Sequence, residues 1–575
     1  MVKIPKKNKM INKLKKLFSK KNIDGYIVPK NDAFFSEHAY PDRLRKISNF
    51  TGSYGLSIIL YRENHLFVDG RYIIQAKKQA GKEFLIHQIP MVTPKEILSK
   101  FNKDLSLGFD PNLFTSKYLN KIIGNKHKLV PIYDNLIDKI SAPKKVNKVN
   151  SFYVLNKKIS GETSFSKINK LVNILNKKGI ENIFISAPEN VAWLLNLRGG
   201  DNPNSPIPNC KIILTNKKEI FFFSCPLKIN KIKKIAFYKN FKFFKFRDFF
   251  EVITKLKGGN FSIDSSTCSV FNENIISSKF QIKNFNDPCY YLKSIKNKTE
   301  IENMKQAHIN DGVALTKFLY WIKNTKLKGL NEIKVEKKLE SFRKKNKNYL
   351  FPSFNTIAGS GPNGAIIHYR ANKLSNRYLK KNDLLLCDSG GQYKYGTTDV
   401  TRTICFNKPS KYIKNIFTRV LKGHIAVATT NLNKINKGSI IDKRARKWLN
   451  EINLDYAHGT GHGVGFFLNV HEGPQSISKF NNVVLKKGMI LSNEPGYYRE
   501  NEFGIRIENL VYISEEKNKL FFKNFTLAPI DNDLVNFSML SKQEREYLFK
   551  YNLEIYSNLS KYLNKAEKIW LQNLI

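Results

Sequence analysis

Residues 384–406, LLLCDSGGQYKYGTTDVTRTICF, decide the fold, because they place two carboxylates next to apolar strands. Three leucines and a cysteine precede Asp388, and the pattern predicts a buried strand, a turn and a second strand with period-two alternation. Asp399 follows in the partner strand, eleven residues after Asp388. An isolated buried carboxylate costs several kcal/mol unless it is paired or bound to metal. Taken alone, such a pair is more often a turn or capping feature than a pair of ligands.

Two further carboxylates lie at or within apolar strands nearer the C-terminus. MILSNEPGYY places Glu494 at the end of an apolar run, and FGIRIENLVYI places Glu508 inside an alternating strand. If all four carboxylates converge, mutual repulsion prevents them from ionising together without cations. Two divalent ions would balance four negative charges, with one neutral histidine completing the set. Oxygen ligands with a single imidazole suit manganese, cobalt, iron or zinc in a dinuclear site.

HGTGHGVGFFLNVHEGP, residues 458–474, holds three of the ten histidines, His458, His462 and His471. The glycines between them disfavour a helix, since each glycine in a helix interior costs about 1 kcal/mol relative to alanine. No glutamate follows His458 directly, so the helical zinc-protease motif is absent. We expect a glycine-rich loop that brings imidazoles close to a substrate.

GSGPNG, residues 359–364, matches the glycine spacing of a dinucleotide-binding fingerprint. Pro362 lies inside the turn, however, and the AIIHY that follows it predicts a strand. A fingerprint needs a helix N-terminus at that point to bind pyrophosphate. We therefore expect a tight loop on the substrate side.

A chain of 575 residues is too long to fold around a single hydrophobic core, so we expect two to four domains. We expect domains at residues 1–142, 143–297 and 298–575. Proline and lysines interrupt the periodicity in SAPKKVNKVN, residues 141–150. The first two domains contain similar mixtures of helix and strand signals, so we expect them to share a fold, although no sequence repeat links them. The third starts with a long amphipathic helix and ends in a helical tail from SKQEREYLFKYNLEIY, as an α+β catalytic domain.

The net charge of +51 raises the question of nucleic acid. Lysine far outnumbers arginine and is spread along the whole chain, whereas a nucleic-acid site would concentrate charge and favour arginine. We expect no specific nucleic-acid partner. The six cysteines form no CxxC pair, which fits a reducing compartment. No apolar run approaches the ~18 residues of a membrane span, and the basic N-terminus lacks a signal-peptide core, so we expect a cytoplasmic protein without a membrane partner.

Five segments in order, GPNGAIIHY, LLLCDSGGQYKYGTTDVTRT, HGTGHGVGFFLNVHEGP, EPGYY and GIRIEN, closely resemble aminopeptidase P, the Xaa-Pro aminopeptidase of the pita-bread metallopeptidase superfamily. DGRYIIQAKKQ and NVAWLLNLRGGD resemble the first two domains of its long, three-domain cytosolic form. The resemblance implies an α+β fold in which two related, creatinase-like α/β domains precede a pita-bread catalytic domain. It also implies a homodimer that removes the N-terminal residue from peptides with proline at position two.

The same resemblance assigns roles to residues of this sequence. It implies two divalent ions, with manganese favoured and cobalt, iron or zinc as alternatives, and a hydroxide shared between them as the nucleophile. Glu494 would accept the proton and pass it to the departing nitrogen. The implied metal ligands are Asp388 on one ion, Asp399 and Glu508 between the two, and His462 and Glu494 on the other. The implied accessory residues are His368, His458 and His471 at the substrate, with Tyr498 and Arg506 orienting carboxylates.

Two other functions stay open at this point. A prolidase, which cleaves Xaa-Pro dipeptides, would use the same ligands, but the three-domain length and the HEGP setting of His471 argue against it. A pita-bread scaffold that has lost its chemistry could bind proteins or nucleic acid. Loss of ligands is its expected signature, whereas all five ligand types are present here.

Overall fold

The computed structural model describes residues 9–37, 39–142 and 151–575. The predicted boundary after residue 142, with most of SAPKKVNKVN, lies outside the described residues. The chain divides into two compact units. The first comprises Met1–Leu155, Glu162–Pro203 and Ile207–Cys289, and the second comprises Asn156–Gly161, Asn204–Pro206 and Tyr290–Ile575.

The first unit begins with a six-stranded mixed sheet. Its central strand, Gly25–Pro29, is buried along its whole length because helices cover both faces of the sheet. In spatial order the strands are Leu85–Ile89, Asn64–Asp69, Leu56–Leu60, Gly25–Pro29, Ser106–Phe109 and Lys128–Pro131. The helices are Lys9–Lys15, Phe18–Lys21, Arg43–Ser48, Ile73–Ala80, Pro94–Ser99, Ser116–Ile123 and Leu136–Ile140.

A second six-stranded sheet repeats the topology of the first. In both sheets, two antiparallel pairings in the middle are flanked by one parallel pairing on one side and two on the other. This confirms the expected pair of related α/β domains. In spatial order the strands of the second sheet are Lys242–Phe244, Ile220–Ser224, Cys210–Thr215, Asn182–Ile185, Asn260–Ile263 and Gln281–Asn284. The helices around it are Ser164–Lys177, Pro188–Leu194, Pro226–Ile232, Phe249–Lys255 and Val270–Ser277. A separate two-stranded pair joins Tyr153–Val154 to Leu197–Arg198.

Helices frame the second unit. The predicted amphipathic helix is present at Lys298–Asn324, and a capping box between Asn297 and Glu300 fixes its start. The predicted helical tail consists of Lys542–Leu559 and Lys565–Gln572. In the described part of the chain, no helix combines the length and the apolarity that a membrane crossing requires. The remaining helices are Lys157–Ser160, Pro288–Ser294, Glu332–Lys344, Lys411–Ala428 and Gly438–Asn450.

Small sheets fill the centre of the second unit. Two of them have three strands, Tyr349–Pro352 with Gly391–Tyr393 and Gly396–Thr397, and Ile357–Ser360 with Leu384–Ser389 and Val400–Cys405. A hairpin pairs Gly496–Arg499 with Phe503–Arg506. The five-stranded sheet runs in the order Glu472–Ile477, Gly461–Gly463, Ile490–Asn493, Asn509–Glu516 and Lys519–Asn524.

Two local predictions differ from the structure. Strands Leu384–Ser389 and Val400–Cys405 pair as expected, but every residue in both is buried, because core clusters cover both faces. Burial therefore does not follow the predicted alternation, and the turn between them is a short hairpin of its own. The AIIHY segment is not a strand, since Gly361–Ala365 forms a 3-10 helix that continues into turns.

Candidate metal centre

Strand register brings the predicted carboxylates together. Asp388 lies opposite Thr401 in the antiparallel pair, and Thr401 also forms a bridge to Glu508. Asp399 directly precedes the strand Val400–Cys405. Thr401 therefore lies between two predicted ligands and shares a strand face with a third, since residues two apart in a strand point to the same side.

Four of the five predicted ligands approach one another closely. One ligand atom each from Asp399, His462 and Glu508 lies within 4.8 Å of the others. His462 Nε2 is 3.5 Å from Asp399 Oδ2 and 3.5 Å from Glu494 Oε1. His462 lies in the strand Gly461–Gly463, and Glu494 follows the neighbouring strand Ile490–Asn493. The predicted glycine-rich segment is thus extended rather than helical at this histidine.

The imidazole of His462 has a fixed orientation. Its Nδ1 donates to the carbonyl of Gly463 at 2.9 Å, so Nε2 faces Asp399 and Glu494. Burial lowers the pKa of His462, but the hydrogen bond to Asp399 and the charge of Glu494 outweigh it and raise that pKa to about 9. A neutral imidazole held in this way presents the Nε2 lone pair to a cation.

The buried carboxylates lie close enough to raise one another's pKa. Burial, followed by the charges of Asp399 and Glu494, raises the pKa of Glu508 well above its ordinary value. Burial also raises the pKa of Asp388 to about 7, although Arg506 opposes the shift. Among the described residues, the buried Oδ1 of Asp388 has no hydrogen-bond partner. An unpartnered buried oxygen within an oxygen-rich donor set with one imidazole fits divalent cations.

A chain of hydrogen bonds runs from Asp388 to His458. Arg506 donates from Nη2 to Asp388 Oδ2 at 2.6 Å and from Nη1 to the Tyr498 hydroxyl at 2.6 Å. The Tyr498 hydroxyl lies 2.9 Å from His458 Nε2, while His458 Nδ1 donates to the Gly459 carbonyl at 2.8 Å. Burial lowers the pKa of His458 to about 4, so the ring is neutral near pH 7. Both of its nitrogens therefore have partners inside the protein.

The other two predicted histidines lie at the edge of the centre and in a neighbouring loop. His471 is exposed, and its ring centroid is 4.2 Å from that of His462. His368 is half-buried in the turn that follows Gly361–Ala365. The 3-10 helix that precedes this turn packs on the strand that carries Arg506, and a side chain at Gly504 would overlap the carbonyl of Gly364.

A buried glutamate that the sequence analysis missed holds the His368 loop. Glu332 Oε1 accepts hydrogen bonds from Ser360 N at 2.8 Å and Asn363 Nδ2 at 3.0 Å. Its Oε2 accepts from the Tyr369 hydroxyl at 2.7 Å and from Arg377 N at 2.9 Å. No sequence signal marks Glu332, since it lies at the first position of an ordinary helix with an acidic first turn.

Two hydroxyl side chains, also missed, orient the predicted ligands. Thr401 Oγ1 donates to Glu508 Oε2 at 2.7 Å and accepts from Arg506 Nε at 3.0 Å. Ser492 Oγ donates to Glu494 Oε1 at 3.0 Å and accepts from the backbone N of His462 at 2.9 Å. Each lies two residues from a predicted carboxylate, Asp399 or Glu494, so the strand period is a signal that could have found both.

Family models match nearly all of the described chain. Residues 302–515 match metallopeptidase family M24, and residues 518–574 match the C-terminal region of peptidase M24. Residues 10–140 and residues 142–300 each match a creatinase/prolidase N-terminal domain. The two matched N-terminal segments contain the two sheets of like topology.

Individual relatives agree with these models. The chain is 37% identical to a probable Xaa-Pro aminopeptidase P of Laccaria bicolor, over 95% of this chain and 90% of that protein. The crystal structure of X-prolyl aminopeptidase from Caenorhabditis elegans, described as a cytosolic enzyme with a di-nuclear active site, superposes with a TM-score of 0.91 at 29% identity, over 98% of this chain and 99% of that one. A prolidase from Pyrococcus furiosus superposes with a TM-score of 0.51 at 27% identity, over 62% of this chain and 99% of its own. The chain therefore belongs to metallopeptidase family M24 and, within it, to the Xaa-Pro aminopeptidases.

Proposed function

We propose that the chain is a metal-dependent aminopeptidase that hydrolyses the bond between an N-terminal residue and a following proline. The approach of Asp399, His462 and Glu508 within 4.8 Å carries this proposal, because such a donor set has little use in a buried site without a cation. The preference for proline rests on the relatives rather than on the geometry.

The proposed ligands are Asp388, Asp399, His462, Glu494 and Glu508, which would hold two divalent cations. Oxygen-rich sites suit manganese, which we propose ahead of cobalt, iron or zinc. When bound, such ions supply Lewis acidity that polarises the scissile carbonyl and allows water to act as a nucleophile near neutral pH.

Glu494 is the carboxylate best placed to move a proton. Its side chain is 17% exposed, compared with 10% for Asp388 and 6% for Asp399. A general base has to reach both water and the leaving group, and the most accessible carboxylate of the cluster meets that requirement. We assign Glu494 to accept the proton of the attacking water and to deliver it to the proline nitrogen.

The accessory residues divide into two groups. The exposed His471 and the half-buried His368 retain access to a peptide, so we propose that they bind its carbonyl oxygens and the tetrahedral intermediate. His458 has partners on both ring nitrogens and acts through Tyr498. Arg506 and Tyr498 keep Asp388 oriented, as expected for groups that support a metal ligand.

Prolidase activity is the nearest alternative, because prolidases share the fold of the catalytic unit. The Pyrococcus prolidase covers 62% of this chain, whereas the nematode aminopeptidase covers 98%. The larger share of this chain that the aminopeptidase covers favours aminopeptidase activity. An inactive scaffold is disfavoured because all five proposed ligands are present, with Asp399, His462 and Glu508 within 4.8 Å of one another and Glu494 3.5 Å from His462.

One experiment separates these functions. Protein stripped with a chelator and resupplied with manganese is incubated with an Arg-Pro-Pro tripeptide, an Xaa-Pro dipeptide and an Xaa-Ala tripeptide, and released amino acid is measured. Manganese-dependent cleavage of the proline tripeptide alone supports the proposal. Cleavage of the dipeptide alone indicates a prolidase. No cleavage with any divalent metal indicates a binding scaffold and makes the +51 charge the next lead.

We further propose that the enzyme acts on peptides as a homodimer in the cytoplasm, without a specific nucleic-acid partner. The description of the nematode relative as cytosolic supports the location. Sedimentation of the purified chain tests the dimer, and a monomer across the micromolar range would rule it out.

A further inference from the structure

Arg402 is a buried cation whose hydrogen bonds all run to neutral acceptors. It is 3% exposed and lies in the strand Val400–Cys405, next to Thr401. Its Nη1 donates to the carbonyls of Thr401 at 2.8 Å and Glu508 at 2.7 Å. The guanidinium therefore holds the backbone of the two residues whose side chains share the 2.7 Å hydrogen bond within the metal centre.

The rest of the guanidinium reaches the C-terminal part of the chain. Nε donates to the Pro529 carbonyl at 3.0 Å, and Nη2 donates to the Ala528 carbonyl at 2.7 Å and the Tyr551 hydroxyl at 2.9 Å. Nη2 also donates to Asn509 Oδ1 at 2.8 Å. Arg402 thus joins the strand that follows Glu508 to the segment before the tail and to the helix Lys542–Leu559.

Tyr551 completes this connection from the tail. Its side chain is 2% exposed, and its hydroxyl lies 2.9 Å from the Ala528 carbonyl and 3.1 Å from the Thr526 carbonyl. The hydroxyl can accept from Arg402 while it donates to one of these carbonyls. The two N–H groups of Nη2 face three acceptors, so removal of the hydroxyl leaves Asn509 Oδ1 and the Ala528 carbonyl to accept from them. What is lost is the hydrogen bond that ties Arg402 to the helix Lys542–Leu559, together with the donor to the Thr526 and Ala528 carbonyls.

We propose that Arg402 and Tyr551 are positioning residues for the ligand Glu508, so that the C-terminal helix Lys542–Leu559 sets how tightly the site retains its cations. This inference rests on the proposed metal site. It adds that the helix Lys542–Leu559, which supplies no proposed ligand, affects the metal affinity of the site through Tyr551 and Arg402. Groups that orient ligands from outside change metal affinity by about 10- to 100-fold.

Tyr551→Phe tests the proposal with a matched control on the same helix. Tyr547 stacks on Tyr551 with ring centroids 6.4 Å apart, but its hydroxyl accepts from Asn524 rather than from Arg402. Manganese affinity is measured on the full-length protein by competition with a fluorescent chelator, together with circular dichroism and the manganese-induced rise in unfolding temperature. We expect roughly tenfold weaker binding and a smaller rise for Tyr551→Phe, with wild-type values for Tyr547→Phe.

Arg402→Lys provides a second, independent variant. Lysine keeps the charge but cannot span acceptors on separate segments, so we expect manganese binding to weaken further. Wild-type affinity in both Tyr551→Phe and Arg402→Lys overturns the proposal. An equal loss in Tyr547→Phe also overturns it, since general packing would then explain the effect. Failure of the wild-type chain to bind manganese, cobalt, iron or zinc would remove the proposed function itself.

Discussion

Arg506 donates a 2.6 Å hydrogen bond to Oδ2 of Asp388, and both side chains are almost closed to solvent. The bond leaves Oδ1 of Asp388 as a buried oxygen without a partner among the described residues. Oδ2 of Asp388 thus accepts a hydrogen bond from the protein, and Oδ1 remains available to bind a cation.

Arg506→Met should disable this arrangement. The substitution leaves Asp388 buried without its counter-charge, which costs about 3–5 kcal/mol when one partner of a buried pair is removed. Arg506→Lys should lose at least tenfold in kcat/KM, because an ammonium cannot reach Asp388, Tyr498 and Thr401 together. Denaturant unfolding and kcat/KM are measured beside Arg499→Lys, an exposed arginine on the partner strand. An Arg506→Lys enzyme as active as Arg499→Lys would contradict this role.

Glu494→Gln should abolish turnover while the fold is kept. The amide can still bind Ser492, but it cannot accept a proton, so we expect a decrease in kcat of at least a hundredfold. The measurement is kcat at saturating manganese, with circular dichroism as the test of folding. Glu500→Gln, an exposed glutamate six residues later, is the matched control. Near wild-type turnover by Glu494→Gln would remove the assigned proton transfer.

Tyr498→Phe should lower activity through Asp388 and His458. It removes the hydroxyl that links Arg506 to His458, and loss of such a buried hydrogen bond costs about 1–3 kcal/mol. We expect kcat to fall about tenfold with little change in KM, since no contact to the peptide is proposed for this residue. Tyr497→Phe, on the other face of the same strand, should behave as wild type. Equal kinetics in the two variants would argue against the chain of hydrogen bonds.

Glu332→Gln should lower kcat/KM without loss of bound manganese. Each oxygen of Glu332 accepts from donors in the His368 loop, and an amide nitrogen would meet N–H groups instead. We therefore expect a several-fold decrease in kcat/KM with wild-type manganese content. Glu340→Gln, two turns later on the same helix and paired with Lys344, is the control. Loss of manganese in Glu332→Gln would show that the loop supports the ligands rather than the peptide.

The stability gained from metal should grow with pH. Without cations, the pKa of Asp388 rises from 3.8 to about 7 and that of His462 from 6.5 to about 9. In both cases the folded chain holds a proton that the unfolded chain releases, so the stabilisation is present at low pH and is lost as pH rises through these windows. Cations take the place of these protons.

Thermal unfolding with chelator and with manganese, from about pH 5 to about pH 9, checks this dependence. The metal-free protein should lose stability across the range, and the difference between the two conditions should widen. Asp388→Asn should remove the part of the change below about pH 7. A difference that stays constant with pH would contradict the proposed proton–metal exchange.

The convergence of the proposed ligands could be anticipated from sequence because these residues occupy distinctive positions, while their role as ligands stays a prediction. Asp388 and Glu508 are carboxylates at apolar strand positions, which is costly without a purpose. Thr401 and Ser492 could have been inferred from the two-residue period. Glu332 and Arg402 could not, since their partners come from loops and the tail, and only the tertiary fold brings these together.

The fold was predicted at the level of domains but not of every strand. Central strands with long apolar runs and the capped helix at Lys298–Asn324 followed from local patterns. The AIIHY segment contains two β-branched isoleucines, but it follows directly on a 3-10 helix that includes Pro362 and packs against Gly504, and no strand forms there. The domain bounds at residues 142 and 297 remain predictions.

The buried arginines indicate where the protein would not tolerate substitution by lysine. In a chain where lysine dominates almost every surface, Arg343 and Arg506 are held deep inside, and each uses several planar donors at once. A lysine at these positions would supply charge without direction. An exchange of these interior arginines for lysine should therefore cost more stability than the same exchange at an exposed arginine such as Arg499, and a library of single arginine-to-lysine changes would show which positions need several planar donors.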